Sequence, residues 1–329
     1  MVESGAPRAA VIIVNFNSGA LLARCLTALA AQTFRDFRTI VVDNASTDGS
    51  AHVLESRFPG TMVLRSEKNL GFAAGNNLGL ATATGCKWIA LLNPDAFPAP
   101  DWLEKFIGTA EAQPRFSFFG CRMRRADAPG LLDGTGDVYH VSGASWRRDH
   151  GVSAERGTIA PGEIFGPCAA AALYSLDALK DVGGFDERYF CYHEDVDLAF
   201  RLRLRGHRCR YVPEAVVDHV GSAIAGRRSD FATYHGHRNL VWTYVKDMPA
   251  PLFWLYLPLH LLANLAAIAV CAARGQFGVI LRAKRDALRA LPAMLAERRR
   301  IQGARVVGAR ELRAVMAKGF CALWSRSAS

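Results

Sequence analysis

The sequence has eight cysteines and no C-x-x-C pair: Cys25, Cys86, Cys121, Cys168, Cys191, Cys209, Cys271 and Cys321 stand singly along the chain. That spacing argues against a structural zinc site and against a disulfide framework, so buried thiols in a reducing compartment are expected. No G-x-G-x-x-G or G-x-x-x-x-G-K-[ST] loop is present either, so a bound nucleotide cannot rest its phosphates in a glycine cradle. There is no internal repeat. The start, "MVESGAPRAAVIIVNFN", has an early acid and too short an apolar run for a signal peptide, which leaves the first part of the chain expected in the cytoplasm. Charge is absent altogether between Asp247 and Arg274.

The net charge of +10 suggests nucleic acid until it is located. Residues 1–273 carry 27 Lys/Arg against 27 Asp/Glu, whereas residues 274–329 carry 13 against three, Asp286, Glu297 and Glu311. The excess belongs to a tail, and a nucleic-acid-binding face on the body is excluded.

What is present is alternation. "AAVIIVNF", "RTIVVDN", "TMVLRSE" and "KWIALLN" read as strands, with helical spacing in "GALLARCLTALAAQT", "GSAHVLESRF" and "AAGNNLGLATAT" between them. Such alternation predicts an α/β fold with a mainly parallel sheet, and near-continuous apolar strands predict helices on both faces. From about Pro129 to Gly166 the pattern loosens into Gly, Asp and Ser, an active-site loop or an inserted β-ribbon. "CAAAALYS" and "DVDLAFRLRLRG" then resume as strand and helix.

Ligands of open parallel sheets bind at the carboxyl ends of the strands. Three such ends here are polar: Asn15 and Asn17 after the first strand, Asp43, Asn44, Ser46 and Asp48 after the second, and Asn93-Pro94-Asp95 after the fourth. One such cluster is ordinary loop and helix-cap chemistry. Three on neighbouring strands mark a site. Without a glycine cradle, a divalent cation is the natural partner for a diphosphate, and Asp95 is a hard oxygen ligand fixed by Pro94.

Asp186, Glu187, Glu194, Asp195 and Asp197 form a second cluster. Acids at a helix start suit its dipole, but this density exceeds one cap, and a carboxylate beside a substrate can take a hydroxyl proton. His219, in "VDHVGS", is either a core histidine or a metal ligand.

From Ala10 to Ser222 the ordered set "VNFNSGALLARCLTAL", "VVDNASTDGS", "NLGFAAGNNLG", "LLNPDA", "GGFDERYFCYHEDVDLAFRLRLRG" and "HVG" resembles the family 2 glycosyltransferases of GT-A fold. "YHGHRNLVWTYVKDMP" and the apolar-then-basic end resemble its rhamnosyltransferase branch. The resemblance implies a Rossmann-like catalytic domain over residues 1–245, followed at 246–329 by an apolar helical segment and a basic amphipathic tail. Asp43 would accept from a pyrimidine N–H, with Asn15, Asn17 and the Asn44–Asp48 loop around the nucleoside. Asn69, Gly71 and Asn76 would line the nucleotide-sugar pocket. Asn93-Pro94-Asp95 takes the position of the family's D-x-D motif, so Asp95 would meet Mg²⁺ or Mn²⁺, with His219 as a compensating ligand because the first acid is Asn93. Asp195, preceded by Glu194, matches the catalytic base.

The expected activity is an inverting transfer, with dTDP-rhamnose the best guess for the donor and a polyprenyl-diphosphate-linked saccharide the acceptor. A nucleotidyltransferase is the chemical rival, but "NFNSGALLARC" offers only Arg24 where such enzymes carry a basic glycine-rich loop. A non-catalytic membrane scaffold of the same fold is the other. Residues 251–273 are long enough to span a bilayer, yet a single span would put the basic tail outside, against the positive-inside rule. Pro251, Pro258, His260 and Asn264 also weaken a spanning helix. An interfacial or re-entrant element at the cytoplasmic face of the membrane is therefore expected, with the basic helix on anionic headgroups. A second copy of the chain is a further candidate partner.

Overall fold

The computed structural model describes residues 5–221 and 229–319; Ser222, Cys321 and Arg326 lie outside the described residues. The elements follow in the order β1 (Ala9–Asn15), α1 (Leu21–Ala30), β2 (Phe37–Asp43), α2 (Val53–Arg57), β3 (Thr61–Arg65), α3 (Gly71–Thr82), β4 (Trp88–Leu92), β5 (Ala96–Pro98), α4 (Trp102–Ala112) and β6 (Phe118–Arg125). Next come β7 (Leu132–Gly134), β8 (Asp137–Tyr139), β9 (Ser145–Arg147), β10 (Gly162–Glu163), β11 (Ala171–Ser175), α5 (Leu176–Val182), α6 (Glu194–Leu204) and β12 (Cys209–His219). Five helices follow among the described residues: α7 (Asp230–Asp247), α8 (Ala250–Ala273), α9 (Phe277–Arg289), α10 (Leu291–Gly303) and α11 (Ala309–Ala314).

The main sheet runs β10-β12-β6-β11-β4-β1-β2-β3, with β5 on β12 and β7 on β6. β3, β2, β1 and β4 are parallel, and so are β6 and β12; β11 is antiparallel to both β4 and β6. The sheet is thus mixed and mainly parallel, with helices on both faces. Alternate side chains divide the core: Val11 and Ile13 pack with Leu22, Leu26, Trp102 and Phe106, whereas Ala10 and Ile12 pack with Ala73, Leu198 and Leu202. Two-sided burial explains why β1 reads as an unbroken apolar run. α3 presses so closely on β1 that a Cβ at Gly79 would lie 2.6 Å from Ile12 Cγ2.

The loosely patterned stretch contains the two-stranded ribbon β8–β9, in which Asp137 pairs with Arg147. The basic stretch "RAKRDALRALPAMLAERRR" of the tail has the pattern of one amphipathic helix but forms two, because Pro292 stands at the start of α10, where a missing N–H is harmless. Residue 245 lies within α7, and α10 packs back on α7 and α6. α8, 24 residues long, is by length and composition apolar enough to cross a membrane and is mostly bare, with Trp254, Leu255, Leu261, Leu262 and Leu265 exposed.

Candidate active site

A cavity of about 710 Å³ opens at the carboxyl ends of β1, β2 and β4. Its wall brings together Asn44, Asn69, Gly71, Asn93, Asp95, Glu194, Asp195 and His219, which are scattered over half the sequence. On the β2 side, Asn44 Nδ2 donates to Asn69 Oδ1 at 2.9 Å and to the Gly71 carbonyl at 3.2 Å. Asn44 Oδ1 accepts from Leu70 N at 2.8 Å, so one amide ties the end of β2 to the start of α3.

Asp95 owes its position to strand pairing. β4 ends at Leu92, and the chain turns at Asn93-Pro94-Asp95 through an Ala96 N to Asn93 carbonyl bond of 3.1 Å into β5. β5 runs antiparallel to β12 with Ala96 opposite His219, which sets Asp95 beside that imidazole. His219 Nε2 lies 3.3 Å from Asp95 Oδ1, and Nδ1 lies 2.8 Å from Asp133 Oδ2. Asp133 also pairs with Arg147. Burial disfavours charge on His219, but hydrogen bonds to Asp133 and Asp95 and the charge of Asp95 outweigh it and hold the ring above its ordinary value. Burial would raise the Asp95 carboxyl, and His219 more than compensates, keeping it low.

On the opposite wall, α6 begins with Glu194 and Asp195. Asp195 accepts from Val196 N at 2.8 Å and from Ala169 N at 3.3 Å. Glu194 Oε2 is buried without a hydrogen-bond partner among the described residues. Burial, then the charge of Asp195, push the Glu194 carboxyl well up, and the same two causes do so for Asp137. Burial raises Asp195 as well, opposed by its backbone N–H donors and Arg147. Of these three carboxyls, Asp195 is the one equipped to carry the negative charge and act as a base.

The turn before α6 is strained: Phe190, Tyr192 and His193 have φ of 65°, 67° and 65°. Each such residue costs roughly 1–3 kcal/mol and persists only where its surroundings over-determine it. Part of that determination is Gly71, where a Cβ would stand 2.5 Å from the Phe190 carbonyl oxygen.

Six of the residues assigned to the donor from sequence lie off the cavity wall. Asn15 Nδ2 faces Asp43 Oδ1 at 3.3 Å and the Ser46 and Ser50 hydroxyls at 3.0 Å. Asn17 Oδ1 accepts from Thr47 N at 2.8 Å, and Asp48 accepts from Gly19 N at 2.7 Å. Asn76 bonds back to the Phe72 carbonyl at 2.9 Å, within α3. In exchange, the wall gains Asp137, Trp146, Arg147 and Tyr192, which sequence reasoning did not select. The sign available for Asp137 and Arg147 was their place in a Gly-rich stretch that reads as an active-site loop or an inserted β-ribbon.

No group of three or more His, Cys, Asp or Glu residues forms a metal cage among the described residues. A hard cation on a diphosphate needs only one or two protein carboxylates, and the donors here fit one. Asn93 Oδ1 is buried on the wall without a partner among the described residues, Asp95 offers a carboxylate, and Asp133 orients His219 through Nδ1, leaving Nε2 toward Asp95.

A mixed sheet of this order with its cavity at the strand ends is the GT-A architecture of glycosyltransferases. GalNAc-T7, solved with UDP, GalNAc and Mn²⁺, superposes with a TM-score of 0.60 at 14% identity, over 75% of this chain and 49% of its own. The mannosyltransferase PcManGT of Pyrobaculum calidifontis, solved with GDP-Man and Mn²⁺, does so at 0.53 and 20% identity, over 92% and 86%. At such identities the likeness is one of fold. The model of Glycosyl transferase family 2 matches residues 10–183, more than half of the chain, and the chain belongs to that family. It is similar to N-acetylglucosaminyl-diphospho-decaprenol L-rhamnosyltransferase of Mycobacterium tuberculosis, 31% identical over 252 residues covering 68% of this chain and 80% of the relative.

Proposed function

We propose that the protein is an inverting glycosyltransferase that moves a sugar, with L-rhamnose from dTDP-rhamnose the leading candidate, onto a polyprenyl-diphosphate-linked saccharide. The observation that carries this reading is the single cavity holding Asn44, Asn69 and Asp95 on one wall and Asp195 on the other. The Mycobacterium tuberculosis relative, whose name joins L-rhamnose to a diphospho-decaprenol acceptor, supports the choice of substrates. Membership in the family favours sugar transfer over nucleotidyl transfer.

In this reading Asn44 and Asn69 receive the nucleoside, with Asp43, Asn15, Asn17, Ser46, Asp48 and Asn76 holding the strand ends and loops around it. Asp195 takes the acceptor hydroxyl proton as the oxygen attacks the anomeric carbon from the side away from the leaving diphosphate. Backbone N–H donors and Arg147 favour charge on Asp195, whereas burial and the charge of Asp195 disfavour it on Glu194 and Asp137, so Asp195 is the preferred proton acceptor. Asp95, Asn93 and His219 would hold Mg²⁺ or Mn²⁺, which supplies Lewis-acid stabilisation of charge on the leaving diphosphate. Direct displacement needs no covalent sugar–enzyme intermediate.

The acceptor would be met at the cytoplasmic membrane surface. His260 and Asn264 of α8 turn toward the protein: His260 Nδ1 lies 2.8 Å from the Ser142 carbonyl, and Asn264 Oδ1 accepts from Lys284 Nζ of α9 at 2.5 Å. The apolar remainder is bare, and α9 exposes Phe277, Leu281 and Leu288 among Arg282, Arg285 and Arg289. A helix docked along one side and apolar on the other suits the interface better than a span.

Two experiments test this. A panel of sugar nucleotides with a polyprenyl-diphosphate-linked saccharide, followed by NMR of the product, is expected to give one preferred donor and an inverted anomeric centre. Retention of configuration, or no transfer from any donor, would overturn the reading. In flotation assays the full-length protein is expected to rise with anionic vesicles and to do so less at high salt; a protein that stays down with every vesicle has no membrane-surface role.

A further inference from the structure

The segment "YHGHRNLVWTYVKDMP" lies beyond the family match, on α7, and the reaction as described leaves it without a task. Its Asn239 is fully buried. Asn239 Nδ2 lies 3.0 Å from the carbonyl oxygens of Tyr189 and Cys191 and 2.7 Å from that of Tyr192, so two hydrogens are shared among three acceptors. Asn239 Oδ1 accepts from Arg238 Nε at 2.9 Å, and Arg238 Nη2 reaches the carbonyls of Arg188 and Tyr189 at 3.2 and 3.1 Å. One turn on, Thr243 Oγ1 meets the Tyr189 hydroxyl at 2.9 Å.

The clamped carbonyls belong to the turn that holds Phe190, Tyr192 and His193 at positive φ. From its other side, Phe72 N and Ala73 N donate to the Phe190 carbonyl at 2.6 and 3.2 Å. The turn ends at His193, whose carbonyl accepts from Asp197 N at 2.9 Å as the first bond of α6. Where the turn sits therefore decides where α6 starts, and with it the direction of Asp195. A conformation this sparse for side-chain-bearing residues needs fixed partners on both sides, and Asn239 supplies one side.

We propose that Asn239 is a positioning residue for sugar transfer: its amide holds residues 189–193 in the conformation that aims Asp195 and Tyr192 into the cavity. This rests on the reading of Asp195 as the base. Asn239 is not on the cavity wall, so its effect passes through the turn and not through substrate contact.

The test compares Asn239→Ala and Asn239→Asp in the full-length protein, with Asp195→Asn measured alongside. Both Asn239 variants are expected to lose kcat by at least 30-fold while UDP or dTDP binding by calorimetry changes less than threefold. Aspartate fills the same space but offers no N–H at neutral pH. Its activity relative to wild type is therefore expected to climb as pH falls and the protonated carboxyl regains one donor. A role in packing alone makes the aspartate variant the better of the two, with a ratio to wild type that is flat in pH; that result overturns the proposal. So does a loss of kcat matched by an equal loss of nucleotide affinity. If Asn239→Ala fails to fold, Asn239→Leu, which fills a similar space and offers no donor, carries the same test. Normal turnover by the Asn239 variants beside an inactive Asp195→Asn removes the positioning role and leaves the base in place. An active Asp195→Asn instead removes the base.

Discussion

Replacing Gly71 by alanine is the sharpest test of how the two walls of the cavity fit together. Gly71 has φ of 81°, and an added Cβ would stand 2.5 Å from the Phe190 carbonyl oxygen and 2.6 Å from Phe190 Cδ2. Left-handed backbone costs an alanine about 1–2 kcal/mol. Forcing an atom into a filled space costs roughly 1–3 kcal/mol more, and the obstacle here is a carbonyl already bound by Phe72 N and Ala73 N. The sum is about 2–5 kcal/mol of stability, a lowering of the urea midpoint by roughly 1 M. Gly108 provides the control. It lies exposed in the middle of α4, where a Cβ meets nothing within 4 Å, so the same substitution is expected to stabilise by about 0.5–1 kcal/mol. Urea unfolding followed by tryptophan fluorescence reads both. A Gly71→Ala protein as stable as wild type, or a Gly108→Ala protein less stable than Gly71→Ala, would refute the reasoning.

Lys246 is fully buried, 2.6 Å from Asp186 and paired also with Asp197, so Lys246→Met is expected to cost about 3 kcal/mol in urea unfolding, the low end for a broken buried pair because Arg188 and Arg201 remain; a cost under about 1 kcal/mol contradicts it. Despite burial, Arg188 and Lys246 hold Asp186 below the ordinary 3.8, so its stabilisation is complete above that value and is lost as pH falls beneath it. Asp95→Ala is expected to weaken donor binding and metal dependence together, and full activity in the presence of a chelator would contradict the metal role. Because burial raises the Asp195 carboxyl above 3.8 and a base works when ionised, kcat/KM is expected to fall on the acid side through a value above 3.8. An acid limb at or below 3.8 would point to another base.

Much of this arrangement is legible in the sequence because it depends on local pattern. The apolar runs of β1, β2 and β4 and the polar residues that end them are contiguous, and Asn44, Asp95 and Asp195 each sit in a recognisable string. What is not legible depends on register. Asp133 reaches His219 because β7 joins β6 and β6 joins β12, and Arg147 reaches Asp133 through the β8–β9 ribbon; no spacing encodes those meetings. Asn15 and Asn76 illustrate the opposite difficulty, since a polar side chain at a strand end or in a helix can spend its hydrogen bonds on neighbouring backbone and loops. The break between α9 and α10 at Pro292 was visible as a proline and outweighed by the continuous amphipathic pattern.

The most direct test of the central claim is the turnover of Asp195→Asn, measured with its nucleotide affinity on the same sample. The substitution keeps size and removes proton affinity at the group that Val196 N and Ala169 N hold in the cavity. Sugar transfer is expected to fall by roughly 10²–10⁴, with UDP or dTDP affinity within threefold of wild type. Near-normal transfer by the purified, folded variant would contradict Asp195 as the base and the mechanism built on it.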